Sequence, residues 1–206
     1  MTKERQIIIA ARVISMVFTP FYLPILGLTA LFFLSYLSQY LLSYKLLVLA
    51  MVYFFTILLP TFLIHFYRRH QGWSLLELGS RERRVVPYVI SILCYFACLH
   101  VMEQMHIPYF MRSIVVCALL IQIVCALINV WWKISTHTAG IGGVAGALFV
   151  VSEVFRFNPL WWMCLVFLIA GFLGSSRMIL RQHTLSQVVG GFVVGVVCAI
   201  VSIIYL

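Results

Sequence analysis

The segment GSSRMILRQHTLSQVVGG, residues 174–191, joins two long apolar runs at residues 159–176 and 184–206. Each run is about long enough to cross a hydrocarbon core of roughly 30 Å as a helix. A loop between two membrane helices needs only to be polar, but this one has a defined spacing. Five residues separate Arg177 from His183, and three more separate His183 from Gln187. This spacing favours a chemical role for the segment over a purely connecting one.

Apolar runs of the same kind fill the rest of the chain. Of the 206 residues, 64% are hydrophobic and 9% are charged, whereas soluble domains carry about 25% charged residues. We therefore predict an all-α fold, a polytopic transmembrane helical bundle of six to seven membrane segments that forms a single integral membrane domain over residues 1–206. Pro20 and Pro24 interrupt the first segment, which is either a kinked helix or a re-entrant start. The apolar segments are 10–38, 43–67, 86–103, 109–131, 138–155, 159–176 and 184–206.

Basic residues outnumber acidic ones, 14 against 5, and lie mostly on one side of the predicted bundle. All but three, Lys45, Arg112 and Arg156, fall on the side that holds the N-terminus. The positive-inside rule makes that side cytoplasmic, although some of these residues would also bind an anion, so the facing of the site stays open. Loop charge that orients the chain explains the basic excess, and we expect no nucleic-acid partner. The expected location is a bacterial inner (cell) membrane.

Three polar clusters are expected to meet at one membrane face, because two predicted crossings separate each cluster from the next. The clusters are RERRVVP (81–87), KISTHTAG (133–140) and SSRMILRQH (175–183). Ser135 and Thr136 are natural N-caps of a following helix, whose first backbone N–H groups bind anions. Fixed positive charge for a phosphate would come from Lys133, Arg177 and one or both of Arg83 and Arg84.

Two histidines complete the candidate site, His137 at the helix start and His183 close to Arg177 in sequence. If a phosphoryl group is held between them, one imidazole can attack the phosphorus while the other protonates the departing oxygen. These residue types predict a phosphate site that uses no metal and no other cofactor.

The clusters resemble the motifs of the type 2 phosphatidic acid phosphatase superfamily, which also contains the vanadium haloperoxidases. Those motifs are Lys-x6-Arg-Pro, Pro-Ser-Gly-His and Ser-Arg-x5-His-x3-Asp. Ser176, Arg177 and His183 match the third motif at its full spacing, with Gln187 in the position of the aspartate.

The other two motifs are matched less completely. Ser135 and His137 match the second, although its proline and glycine are replaced. RERRVVP has no Arg-Pro pair, and Glu77 stands where an alignment on Arg84 places the lysine of the first motif. Lys133 or Arg81 would then have to supply that charge.

The resemblance covers about residues 70–206 and implies a helical-bundle phosphatase core there. It implies that His183 is the nucleophile that forms a phosphohistidine and that His137 protonates the leaving group. Gln187, one helical turn after His183, can accept the ring N–H but supplies no negative charge, so we expect lower turnover. The implied phosphate-binding residues are Ser135, Thr136, Lys133, Arg177, Arg83 and Arg84.

Two functions stay open. The first is metal-independent hydrolysis of a phosphomonoester or diphosphate of a membrane lipid, such as phosphatidate, phosphatidylglycerophosphate or a polyprenyl diphosphate. The second is a catalytically weak or inactive relative that binds or moves phospholipid headgroups, which Gln187 and the incomplete first motif favour. Either function has membrane lipids as partners, and the sequence leaves the oligomeric state open. The glycine pairs Gly142/Gly146 and Gly191/Gly195 favour close helix packing over a path for lipid.

Overall fold

The chain folds into helices of membrane-spanning length. The computed structural model describes residues 3–34, 39–72 and 85–204, and these residues contain no strand. Seven helical spans are long and apolar enough to cross a membrane, which confirms the predicted all-α polytopic bundle. The α-helices are α1 (Lys3–Val17), α2 (Leu23–Leu34), α3 (Leu42–Tyr53), α4 (Leu59–His70), α5 (Val85–Gln104), α6 (Tyr109–Trp131), α7 (Thr136–Phe155), α8 (Leu160–Ile179) and α9 (Leu185–Ile204).

Prolines divide the first two spans into shorter helices. A 3-10 turn at Pro20–Tyr22 separates α1 from α2, as expected where a proline removes a backbone donor inside an apolar run. A π-helical turn, Phe54–Leu58, separates α3 from α4 just before Pro60. The wider turn accommodates the proline ring without ending the span.

The backbone divides into two compact units, one formed by Met1–Pro20 with Val124–Leu206 and the other by Phe21–Ile123. The prediction of a single domain over residues 1–206 stays a prediction. The second unit has a hydrophobic core in which Tyr95 and Met102 of α5 pack with Leu28 of α2. An ion pair of 3.8 Å joins Arg112 to Glu103 in this unit.

In the first unit, α7 and α9 pack with their backbones in direct contact. A Cβ atom added to Gly146 would lie 2.6 Å from the carbonyl oxygen of Val196, and one added to Gly191 would lie 2.5 Å from that of Ser135. Additions at Gly142 and Gly195 would approach backbone oxygens even more closely. The glycines are therefore a close-packing surface, as the sequence favoured, and leave no room for lipid between the two helices. Helix α8 packs on α1 and on α7 in the same unit.

Candidate active site

The N-terminus of α7 is hydrogen-bonded to the first turn of α9. Ser135 is the buried N-cap of α7, and its Oγ accepts a hydrogen bond from the backbone N–H of Thr138 at 3.5 Å. The Ser135 N–H donates to the backbone carbonyl of Gln187 at 3.3 Å. The glycine contact between α7 and α9 makes this bond possible, and the bond joins the second sequence cluster to the first turn of α9.

Helix α8 ends in a Schellman motif that directs the chain toward His183. The N–H of Arg181 donates to the carbonyl of Met178 at 2.8 Å, and the N–H of Gln182 donates to that of Arg177 at 3.0 Å. Arg181 has a left-handed backbone with a φ of 52°. Glycine is the usual residue at this position, and a side chain there costs about 1 kcal/mol.

His183 is buried and its ring is held by Gln187. The distance from His183 Nδ1 to Gln187 Oε1 is 3.1 Å, so the contact expected from their one-turn spacing is present. The backbone N–H of Thr184 donates to the same Oε1 at 3.2 Å, which identifies that atom as the amide oxygen. Nδ1 must therefore carry the hydrogen in the neutral ring, and the lone pair is on Nε2.

The hydrogen bond from the Thr184 N–H gives Gln187 a second structural role, which was not predicted from the sequence. Thr184 precedes α9, and its carbonyl accepts the N–H of Val188 at 3.1 Å, as an N-cap carbonyl does. Gln187, three residues later, bonds back to the N–H of the cap, which is the Gln half of a Thr-x-x-Gln capping box, while the Thr184 hydroxyl bonds to Ser186 Oγ. One amide oxygen thus orients the imidazole and closes the helix start. The Thr-x-x-Gln spacing was a signal for this role in the sequence.

Arg177 is buried in the last turn of α8, and its Nη1 donates to the Oγ of Ser15 at 2.6 Å. Ser15 lies in α1 and is itself buried. Sequence reasoning missed Ser15, because a single serine within an apolar run, 162 residues from its partner, gives no signal. The bond ties the first helix of the chain to the arginine of the third motif.

A groove of about 430 Å³ opens beside His183. Its described lining residues include three of those predicted for the site, Lys133, His183 and Gln187, and a further cation, Arg181. Met178, Gln182 and Thr184 complete the lining. The groove therefore combines a nucleophilic ring nitrogen with two positively charged side chains, which suits an anionic ligand.

The described lining of the groove does not include every residue predicted for the site. Ser135, Thr136 and His137 occupy the start of α7 and, like Arg177, are not among the described residues that line the groove. Arg83 and Arg84 fall outside the described residues. Within the described ranges, no three histidine, cysteine or acidic side chains are grouped as metal ligands would be.

Comparison with known proteins assigns the region that contains this site. The family model of the PAP2 superfamily matches residues 130–206, which include α7, α8, α9 and every described residue that lines the groove. No curated protein and no solved structure matches the chain. The Ser-Arg-x5-His spacing that suggested the family lies within the matched region. The match over residues 130–206 therefore supports membership of the PAP2 superfamily.

Proposed function

We propose that the protein is an integral membrane phosphatase that removes a phosphate group from a lipid. Membership of the PAP2 superfamily indicates a phosphatase acting on phosphate esters. The observation that carries the proposal is the hydrogen bond from His183 Nδ1 to Gln187 Oε1, because it orients the ring of a groove-lining histidine and places the hydrogen of the neutral ring on Nδ1. The seven membrane-length helices favour a substrate whose tail lies in the bilayer.

The proposed reaction has two steps. His183 Nε2 forms a bond to the phosphorus of the substrate, and the bond from phosphorus to the lipid oxygen breaks. That oxygen keeps the electron pair and takes a proton from the imidazolium of His137, which releases the lipid alcohol. Water then gives a proton to His137 and attacks the phosphohistidine, and breaking of the N–P bond frees inorganic phosphate and restores His183.

Basic side chains would stabilise the charge on the transferring phosphoryl group, so we propose that no metal is needed. Lys133 lines the groove, and Arg177 is fixed by its bond to Ser15. Ser135 and Thr136, at the start of α7, would add hydroxyl donors to this set. Arg83 and Arg84 complete the proposed phosphate-binding set. The proposed setting is a bacterial inner membrane.

Phosphate release from defined lipids tests this function. The purified protein in detergent is given phosphatidate, phosphatidylglycerophosphate and a polyprenyl diphosphate, in a chelator and without added divalent metal. We expect inorganic phosphate to be released from at least one of them. Activity that vanishes in the chelator and returns with a divalent metal would contradict the metal-free mechanism.

A second function is favoured by the neutral side chain at position 187. An amide stabilises the imidazolium of the reacting histidine less than a carboxylate does, and a protein that only binds or moves phospholipid headgroups has no need of that stabilisation. Headgroup binding without phosphate release from any of the lipids would support this alternative.

Replacing Gln187 by glutamate is expected to raise kcat about tenfold. The carboxylate keeps the length at which Oε1 reaches both His183 and the N–H of Thr184. A charge-assisted hydrogen bond is roughly twice as strong as a neutral one, and a gain of about 1.4 kcal/mol in the transition state is a tenfold gain in rate. Gln187→Asp supplies the same charge on a shorter side chain, so it should gain less, and Gln187→Leu should lose activity. Steady-state kinetics of the three variants check this order, and a slower glutamate variant would contradict it.

Replacing Ser15 by alanine is expected to raise KM severalfold. The change removes the acceptor of the Arg177 Nη1 bond, and hydrogen bonds to charged groups contribute about 1.5–3 kcal/mol. Ser202→Ala is the matched control, because Ser202 is also a buried serine, in α9, and its hydroxyl donates to the backbone carbonyl of Ala199. KM values that change equally in both variants would mean that Ser15 has no specific part in positioning Arg177.

A further inference from the structure

Arg181 occupies a backbone position that favours glycine. Its φ of 52° is left-handed, and it follows the C-cap of α8. The chain does use glycine at the corresponding position after α4, where Gly72 has a φ of 68°. An arginine in this conformation costs folding free energy relative to glycine, and non-glycine residues of this kind cluster at functional sites.

The strained backbone places Arg181 at the candidate site, where its side chain can bind a ligand. It lines the groove that also contains His183, together with Lys133. It is not one of the motif residues of the family, because it is one of the five variable positions between Arg177 and His183. The transferring phosphoryl group already has Arg177 and Lys133 assigned to it in the proposed function, so Arg181 is an additional cation.

An additional cation fits a substrate with an additional negative charge. The guanidinium is permanently charged and its planar donors match two oxygens of a phosphate. A lipid monophosphate has one phosphate, and its leaving group is an alcohol. A lipid with a second phosphate on the leaving side releases a phosphorylated lipid, and the charge on that leaving group increases as the bond breaks.

We propose that Arg181 is a specificity residue that binds a second phosphate group on the leaving side of the substrate. This inference rests on the proposed function. His183 Nε2 bonds to the terminal phosphorus, the bond from that phosphorus to the bridging oxygen breaks, and the leaving lipid monophosphate keeps the electron pair and takes a proton from His137. Arg181 neutralises the charge on that leaving phosphate, so it favours diphosphate over monophosphate substrates.

Two substrates with the same tail test the inference. The values of kcat/KM for farnesyl diphosphate and farnesyl monophosphate are measured for the natural protein and for Arg181→Gly. We expect the ratio of the two values to fall about tenfold in the variant, while its melting temperature stays the same or rises because glycine relieves the backbone strain. A third substrate, phosphatidylglycerophosphate, carries its second phosphate farther along the molecule. If Arg181→Gly loses as much kcat/KM on this substrate as on farnesyl diphosphate, Arg181 would be assigned to a distant phosphate instead of a bridging one.

Arg156→Gly is the matched control. Arg156 also has a left-handed backbone, with a φ of 54°, but it lies at the opposite end of α7 from Ser135. This variant should gain the same relief of strain and keep the substrate ratio unchanged. If Arg181→Gly lowers kcat/KM equally for both farnesyl substrates, or lowers it for neither, the inference is wrong.

A binding measurement separates failure of this inference from failure of the proposed function. Methylenediphosphonate has two phosphonate groups joined by a bridge that cannot be hydrolysed. Inorganic phosphate has a single phosphorus group. Isothermal titration should show that Arg181→Gly weakens binding of methylenediphosphonate about tenfold more than binding of phosphate. This difference is expected even if no lipid is hydrolysed, and its absence would overturn the inference whatever the activity of the protein.

Discussion

Replacing His183 by alanine is expected to lower phosphate release by about 10⁴-fold or more. In the proposed mechanism the ring supplies the atom that bonds to phosphorus, and removal of a nucleophile costs rate on this scale in well-studied hydrolases. The hydrogen bond to Gln187 Oε1 fixes the ring while Nε2 keeps its lone pair, and alanine has no group that replaces it. Phosphate release under single-turnover conditions is the measurement.

Two further observations distinguish loss of the nucleophile from loss of the fold. A substrate labelled in its phosphate should leave an acid-labile label on the natural protein and none on His183→Ala. Free imidazole should restore part of the activity of His183→Ala, because the groove of about 430 Å³ is large enough to admit it. His70→Ala, which changes an exposed histidine at the end of α4, is the control. Full activity in His183→Ala would refute the mechanism.

Replacing Gly195 by alanine is expected to destabilise the protein by about 3 kcal/mol or more and to abolish activity. The new Cβ would overlap the carbonyl oxygen of Ala139 and lie 2.7 Å from the backbone nitrogen of Gly143. Neither atom belongs to a side chain that can rotate away, so α7 and α9 must separate, and overpacking of this kind costs about 1–3 kcal/mol and occasionally more. Separation would also break the bond from Ser135 to Gln187 that joins the two halves of the site.

The control for this change is Gly171→Ala in α8. A Cβ at Gly171 meets no atom within 4 Å, so alanine should be neutral or stabilise the helix by up to about 1 kcal/mol. Unfolding in detergent can be followed with a thiol-reactive fluorophore. The buried cysteines, among them Cys198 in α9, should react only after unfolding, and the exposed Cys164 supplies a constant background. A melting temperature that is unchanged in Gly195→Ala would contradict the close contact.

Much of the fold could be predicted from the sequence because lipid imposes a simple requirement on it. Each apolar run must satisfy its backbone internally, so runs of membrane length become helices, and the described residues contain seven such spans. The π-helical turn at Phe54–Leu58 was not predicted, since the run containing Pro60 is uniformly apolar and hydropathy alone does not show the turn.

The site was predictable where its residues are close in sequence. His183 and Gln187 are one turn apart on a helix start, and their contact follows from that spacing. The bond between Arg177 and Ser15 could not be predicted, because a lone serine in α1 does not reveal which helix packs against it. The backbone of Arg181 was missed for a different reason, since nothing in its neighbours marks a left-handed arginine where glycine is usual.

The bond between Ser15 and Arg177 also has a consequence for how the protein is made. The two residues are 162 positions apart, and a ribosome adds about 5–20 residues per second, so α1 is synthesised roughly 8–30 s before its partner. During that interval the hydroxyl of Ser15 must hydrogen-bond to another group in the bilayer. The nascent chain can therefore form this contact only after residue 177 has been synthesised, and a ribosome stalled before that residue would leave α1 in the membrane without the arginine that bonds to it.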